Sequence, residues 1–319
     1  PNDTEHELSV LIRADDIPEL AERFALQLVS AALLSGDAGP YASTSPRLGS
    51  VQQTTITIEE NDDARGVFTI DGAGDGSGNG SVLAMLEEGD AFPLTVRRDR
   101  GLFGQVTVQL TLTSRACTQA SCAVLGMDVV PDVEGSSSGV SAAVNGDGVL
   151  VVQMVFQEGD SSKSLRLNIA DDQIPEILEQ VQVDLLSTSP GRVGSDARSA
   201  ILQIAENDDA RGVFAFANTT AVVVEEPEAD SGSGSGDDDT TVAPLRIAWV
   251  VERRFGTFHD VAVDFQLRGG PEGFEASFNA TAGTLFFPQF ADSAELVLYV
   301  LPDSVPELTQ NVVVELVSS

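Results

Sequence analysis

The sequence predicts an all-β protein made of tandem immunoglobulin-like β-sandwiches, and three observations carry that expectation. The octapeptide Asn61-Asp62-Asp63-Ala64-Arg65-Gly66-Val67-Phe68 returns unchanged as Asn207 to Phe214, so the chain repeats. Each copy reads as the end of one unit fused directly to the start of the next. Short apolar runs alternate with period two, the spacing of a strand with one buried face. Finally, 42% of residues are apolar and only 6% aromatic, with Val, Ile, Leu and Thr gathered in those runs, which excludes a wholly disordered acidic chain.

Residues 1–63 read as the C-terminal half of a domain. Leu8 to Ile12 is a predicted strand, Ala14-Asp15-Asp16-Ile17-Pro18-Glu19-Leu20 a turn, and Phe24 to Val29 a strand that hides Phe24, Leu26 and Leu28 on one face. Thr55 to Ile58 leads into the acidic pair. Residues 64–209 read as a complete unit, with strands at Val67–Ile70, Ser81–Leu86, Phe92–Arg97, Gln105–Leu112, Val149–Phe156, Ser164–Ile169, Val181–Leu185 and Ala200–Ile204, and an irregular stretch from Ser114 to Gly148. From about residue 210 the order starts again, with Val222–Glu226, Leu245–Val251, Val261–Leu267, Gly283–Phe287 and Glu295–Val300. It stops at Ser319 before its last strand. Seven or so short strands per unit with loops between them describe a sandwich.

Seventeen basic against fifty acidic residues give a formal charge of −33, which repels nucleic acid and anionic lipid and attracts metal cations. No apolar run is long enough to span a membrane. The chain opens inside a pattern and without a leader, as an internal fragment of something longer would. Cys117 and Cys122 can close a small disulfide loop in an oxidising compartment or stand as two free thiols. Sequons at Asn2, Asn79, Asn218 and Asn279 favour export. The Ser-Gly insert within Glu228–Asp239 is a flexible acidic loop or a sugar-chain acceptor.

The chemistry rests on carboxylates that the fold must gather. Glu87-Glu88-Gly89-Asp90 precedes a strand, Asp128 sits in the irregular stretch, Asp171-Asp172-Gln173-Ile174-Pro175-Glu176-Ile177-Leu178-Glu179 follows one, and Asp208-Asp209 closes the unit. Asp, Pro and Glu also make good turns, so one such pair says little; three segments recurring in register say more. With the Gly283-Thr284-Leu285-Phe286-Phe287 run and the Asp-Asp-x-x-Pro-Glu turns, they resemble the Calx-beta repeat, found in the regulatory loop of sodium/calcium exchangers and in very large extracellular proteins.

That resemblance implies a sandwich holding calcium in loops at one tip. The implied ligands are Glu87, Glu88, Asp128, Asp171, Asp172, Glu176, Glu179, Asp208 and Asp209, with Asp15, Asp16, Glu19, Glu22, Asp62 and Asp63 as their partial counterparts in the first unit. The residue types agree, since calcium takes six to eight oxygen ligands. In register with Asp171 the first unit has Ala14 and the third Pro302, Glu179 becomes Gln310, and Asp128 has no third-unit counterpart. The second unit is therefore the best candidate. Arg65 and Arg211, directly after the acid pairs, are either counterions of the site or linker residues pairing with any nearby carboxylate. Trp249 reads as core, and His6 and His259 as structural.

No nucleophile elbow, zinc-protease helix, phosphate loop or EF-hand loop is present, so the chain is not expected to be an enzyme. The leading expectation is a calcium-binding extracellular repeat segment of a large cell-surface adhesion or receptor protein, with calcium stiffening tips and junctions, no membrane insertion in this segment, and cell-surface or matrix proteins as partners. The alternatives are a cytosolic calcium-sensing module like that of the exchangers, and a structural acidic array without metal.

Overall fold

The computed structural model describes residues 5–32, 46–74, 81–115, 122–218, 221–227, 242–303 and 308–317. The chain divides into two compact units, one on the described residues up to Arg115 with 122–170 and 180–203, the other on 171–179 and the described residues from Ile204 onward. Cys117 and the Glu228–Asp239 insert lie outside the described residues, as do the sequons at Asn2 and Asn79. Cys122 is disulfide-bonded.

The strands through the first unit are β1 (Glu22–Gln27), β2 (Gln53–Ile58), β3 (Val67–Ile70), β4 (Ser81–Leu86), β5 (Ala91–Asp99), β6 (Val106–Arg115), β7 (Val129–Asp132), β8 (Val140–Val144), β9 (Leu150–Phe156), β10 (Ser162–Ile169), β11 (Glu179–Ser189), β12 (Arg192–Val193) and β13 (Ser199–Ile204). They form a sheet in the order β12-β3-β5-β10-β7, a second in the order β4-β13-β11-β6-β9-β8, and a separate β1-β2 pair. The two larger sheets bury alternate residues. Leu94 and Val96 on β5 and Leu165 and Leu167 on β10 point inward, as do Val108 and Leu110 on β6 and Val152 and Met154 on β9. Phe68 of β3 meets Phe156 of β9 edge to face at 5.1 Å between centroids, which places the core between the sheets.

The second unit continues with β14 (Val213–Phe216), β15 (Leu245–Arg254), β16 (Val261–Arg268), β17 (Ala282–Phe287), β18 (Ser293–Val300) and β19 (Val313–Val317). Its sheets run β14-β15-β18 and β17-β16-β19. Val251, Phe265, Phe287, Leu296 and Leu298 form its core, and Trp249 packs against that core while only partly buried. None of the described helical segments is long and apolar enough to cross a membrane.

Four expectations are corrected. Leu8 to Ile12 forms no strand and lies exposed, because an apolar run becomes a strand only where a neighbour accepts its hydrogen bonds. In β1 the pairing with β2 is regular, Glu22 opposite Ile58 through Gln27 opposite Gln53, yet Phe24 remains 37% and Leu28 58% exposed. A two-stranded ribbon has no second layer to cover its face. The stretch from Ser114 to Gly148 is less irregular than expected, since it contains β7 and β8, edge strands of the two large sheets. Val222 to Glu226 matches β4 in sequence order but forms no strand, and Val223 is 89% exposed.

Candidate metal centre

The Asp171–Glu179 turn is folded by its own side chains. Asp172 Oδ1 accepts the Ile174 amide at 2.6 Å, the short-range bond that makes Asp a turn former. Pro175 then removes a donor and fixes the backbone. Glu176 pairs with Asn207, whose amide donates to the Glu176 carbonyl at 3.1 Å and whose Oδ1 accepts the Glu176 amide at 3.2 Å. The next residues close on themselves, with Ala210 N donating to Asn207 O at 3.0 Å and Gly212 N to Asp209 O at 2.6 Å. Asp208 and Asp209 take left-handed φ values of 45° and 54°, a conformation that Asp and Asn tolerate better than other residues with a Cβ.

The turn and the tip thereby bring carboxylates together within the second unit. Asp172 and Asp208 have carboxylate oxygens within 4.8 Å of each other, as do Glu176 and Glu179. Glu179 is only 4% exposed. Asp208 Oδ2 is buried and has no hydrogen-bond partner among the described residues. Two like charges about 4 Å apart repel by about 1 kcal/mol in water and about 4 kcal/mol at an effective dielectric constant of about 20. A buried carboxylate oxygen without a partner adds a desolvation cost. The donor set is all oxygen and anionic, which suits a hard cation such as calcium. Asp171 and Asp209 are exposed and stand outside both pairs.

Glu88 and Asp128 belong to the first unit and are half-buried. The Glu87–Asp90 turn is tied by Asp90 Oδ2, which accepts the Glu87 amide at 2.9 Å, and by Gly89 N donating to Ile169 O at 3.1 Å. Asp128 Oδ2 accepts the Val124 amide at 2.5 Å, and its carbonyl accepts Ala170 N at 2.9 Å. Both turns thus flank the end of β10, and the residue that follows Ala170 is Asp171. Glu87 is exposed. Asp90 serves its turn, as Asp160 does by accepting the Gln157 amide at 2.8 Å in the matching Gln157-Glu158-Gly159-Asp160 turn.

At the first copy the backbone is the same. Asp15 Oδ1 accepts Ile17 N at 2.9 Å, Asn61 N donates to Glu19 O at 3.2 Å, and Asp62 and Asp63 have φ of 50° and 57°. The side chains differ in company. Asp63 is gripped by Arg192, and Asp16 and Glu22 are exposed. Asp15, Glu19 and Asp62 join no cluster of three metal-ligating side chains found among the described residues.

A buried arginine at each copy escaped sequence reasoning. Arg98, 2% exposed, donates from Nε to Arg65 O at 3.2 Å, from Nη2 to Phe103 O at 2.8 Å and from Nη1 to Gln157 O at 3.1 Å. Arg253, 3% exposed, donates from Nε to Arg211 O at 3.0 Å, from Nη2 to Phe258 O at 2.6 Å and from Nη1 to His259 O at 3.2 Å. Their guanidinium carbons lie 5.7 Å from the Phe68 and Phe214 ring centres respectively. Burial pulls both guanidiniums below their ordinary pKa. Gly101 and Gly256 allow the close approach, since a Cβ on either would lie 2.1 Å from the carbonyl oxygen of Ala64 or Ala210. The spacing Arg-x-x-Gly-x-Phe, shared by Arg98–Phe103 and Arg253–Phe258, was the available signal. Arg65 and Arg211 point away from the acid pairs to Glu60 and Glu206, at 3.2 and 3.0 Å.

The Calx-beta domain model matches residues 1–62 and 146–208, the two stretches that end in these acidic tips. Those two stretches are similar to the Calx-beta domain. It is 28% identical over 324 residues to the adhesion G-protein coupled receptor V1 of Danio rerio, an alignment that takes in 100% of this chain and 4% of that relative. The chain therefore spans about 4% of the length of that curated relative. Among solved structures it is similar to the calcium binding domain CBD12 of CALX1.1, at 17% identity, 68% of this chain, 71% of that one and a TM-score of 0.30. It is likewise similar to the Calx CBD2 domain, at 15% identity, 46% of this chain, 90% of that one and a TM-score of 0.29. In each matched stretch the residues include an Asp-x-Ile-Pro-Glu turn and the first residue of the closing acid pair, Asp62 or Asp208.

Proposed function

We propose that this chain is a calcium-binding segment of the extracellular part of a large cell-surface adhesion receptor, and that it works as a non-catalytic spacer. In this reading residues 64–209 form a complete Calx-beta domain between a C-terminal half at 1–63 and a third domain from 210 that lacks its last strand. Calcium is held at the acidic tip, by Asp172 with Asp208 and by Glu176 with Glu179. Bound there, the ion supplies the positive charge that this carboxylate set lacks. The chain's own residues set its position: Asn207 ties the turn to the tip, and Ala210-Arg211-Gly212 follow the tip with no spacer, so ordering one restrains the other.

The observation that carries the reading is the buried Asp208 Oδ2, which finds no hydrogen-bond partner among the described residues and lies beside the Asp172 carboxylate. Native folds leave few such oxygens without a compensating ligand or proton. The extracellular placement is supported by the receptor relative and by the disulfide at Cys122. Calorimetric titration of the whole chain with calcium tests the site: saturable binding is expected, and an isotherm with no heat of binding up to millimolar calcium removes the reading.

A further inference from the structure

We infer that Asn279 carries an N-linked glycan, and that this glycan guards an open sheet edge of the second unit. The inference rests on the extracellular placement proposed above, since N-linked sugar is added to chains that enter the export route. Its evidence is local. Asn279-Ala280-Thr281 is the sequon whose three residues all lie within the described part of the chain. Asn279 is exposed, on the bend between the short helical turn Phe274–Ser277 and β17. Its side chain is held by one end. Oδ1 accepts the Tyr299 amide at 2.7 Å, while Nδ2, the atom that takes the sugar, has no hydrogen-bond partner among the described residues. The oxygen of the amide is engaged and its nitrogen is left for chemistry.

In the transfer, Nδ2 attacks C1 of the first sugar of a lipid-linked diphosphate oligosaccharide supplied by the export route. The Nδ2–C1 bond forms, the bond from C1 to the phosphate oxygen breaks, one amide proton is lost and the lipid diphosphate leaves. Oδ1 stays a carbonyl oxygen throughout, so its bond to Tyr299 survives the modification.

The site also stands where the sheet lacks cover. The order β3-β5-β10 of the first unit returns as β14-β15-β18 in the second. In the first unit β7 covers the far edge of β10, from Asp132 opposite Arg166 to Val129 opposite Ile169. In the second, β18 ends the sheet, and among the described residues the far edge is met by the isolated bridge of Phe278 with Val300. Asn279 N donates to Tyr299 O at 3.0 Å, so both backbone groups of Tyr299 face Asn279. By the alternation of an antiparallel strand, those of Val297 and Glu295 face the same way. Such a row is a template for pairing with another chain. A sugar chain on Asn279, at the head of the row, denies that chain room.

Expression of the whole chain behind a secretion leader in a eukaryotic cell line tests the inference. Peptide mapping after enzymatic release of N-glycans in heavy-oxygen water should find Asn279 converted to isotope-tagged aspartate. Thr281→Ala, which abolishes the sequon and leaves the bonds of Asn279 in place, should lower the intact mass by a single glycan; Thr281→Ser, which keeps the sequon, should not. In sedimentation at matched concentration, wild type and Thr281→Ser should run as monomer, and Thr281→Ala should add dimer and larger species. Unchanged amide exchange in β15 shows that this variant keeps its fold. The inference is overturned if Asn279 is unmodified in the exported chain, or if Thr281→Ala stays as monomeric as wild type. The leader delivers the chain to the transfer machinery whatever its native compartment, so an unmodified Asn279 counts against this site and not against the extracellular placement. Finding the native chain in the cytosol of its own cells would count against the placement.

Discussion

The two copies of the Asn-Asp-Asp-Ala-Arg-Gly-Val-Phe segment share every residue and nearly every backbone bond, yet their carboxylates meet different fates. Gly66 N to Asp63 O is 2.7 Å and Gly212 N to Asp209 O is 2.6 Å; Phe103 N to Ala64 O is 3.2 Å and Phe258 N to Ala210 O is 3.1 Å. Both copies are clasped from below by a buried arginine. In the first copy Asp63 is claimed by Arg192, while its counterpart Asp209 makes no ion pair among the described residues; in the second copy Asp208, counterpart of Asp62, lies beside Asp172 with one oxygen unsatisfied among the described residues. The local sequence sets the backbone of the tip, whereas residues more than a hundred positions away in one copy, and some thirty in the other, set its charge balance.

The largest expected effect falls on what the copies share. Arg98→Met and Arg253→Met each remove donors to several buried carbonyls, and leaving those unpaired costs on the order of 3 to 5 kcal/mol. Urea unfolding, followed by Trp249 fluorescence for the second unit and by amide exchange in β6 for the first, should show losses of similar size. If one substitution is tolerated and the other is not, the two clasps are not equivalent and the comparison breaks at its base.

Next comes what separates them. The double change Asp208→Asn with Asp209→Asn keeps turn-forming side chains and removes charge. At a calcium concentration about a hundredfold over Kd, binding to the folded state alone contributes about 2.7 kcal/mol. Thermal melts of wild type should rise with calcium and those of the double variant should not. The paired change Asp62→Asn with Asp63→Asn should leave the calcium response of the second tip intact, which sharpens the contrast.

The smallest effect is in pH. The Arg192 guanidinium, by its hydrogen bonds first and its charge second, holds the Asp63 carboxyl below the ordinary Asp value. A depressed folded pKa contributes stability that is present above the unfolded value near 4 and lost as pH falls through the lower folded value. With Arg192 well exposed, that contribution is small. Carboxyl carbon shifts of Asp63 followed by NMR should show a low midpoint that moves up in Arg192→Gln. An Asp63 midpoint that ignores the substitution would mean the pair does not persist in solution.

Much of this was legible in the residues because it is local. The Asx turns at Asp15 and Asp172, the acidic tips and most strands of 64–209 follow from short-range bonding and period-two patterning. What was not legible depends on neighbours. Leu8 to Ile12 and Val222 to Glu226 carry short apolar runs of the kind strands use, yet no ladder receives them. β7 and β8 are short edge strands whose sequences, Val129 to Asp132 and Val140 to Val144, alternate too briefly to stand out. The clasp was hidden for another reason: an arginine followed three and five residues later by Gly and Phe reads as a polar loop until its carbonyl partners are in place. The same holds for Arg192, whose partner lies at position 63.

The clasp also sets how this chain answers a pull. Tension applied along the polypeptide enters the Asn61–Gly66 segment directly, because no slack separates the last residue of one tip from the first strand after it. To lengthen there, the segment must shed the grip of Arg98 Nε on Arg65 O together with the Phe103 and Gly101 amides on Ala64 O and Asp63 O. These bonds span the same short stretch, and resistance to a pull is governed by the rate of their rupture more than by an equilibrium. Once they fail, the six residues from Asn61 to Gly66 give back at most about 20 Å of contour. The second copy repeats the arrangement through Arg253 and Gly256, so the same short restraint against extension recurs at both copies of the segment.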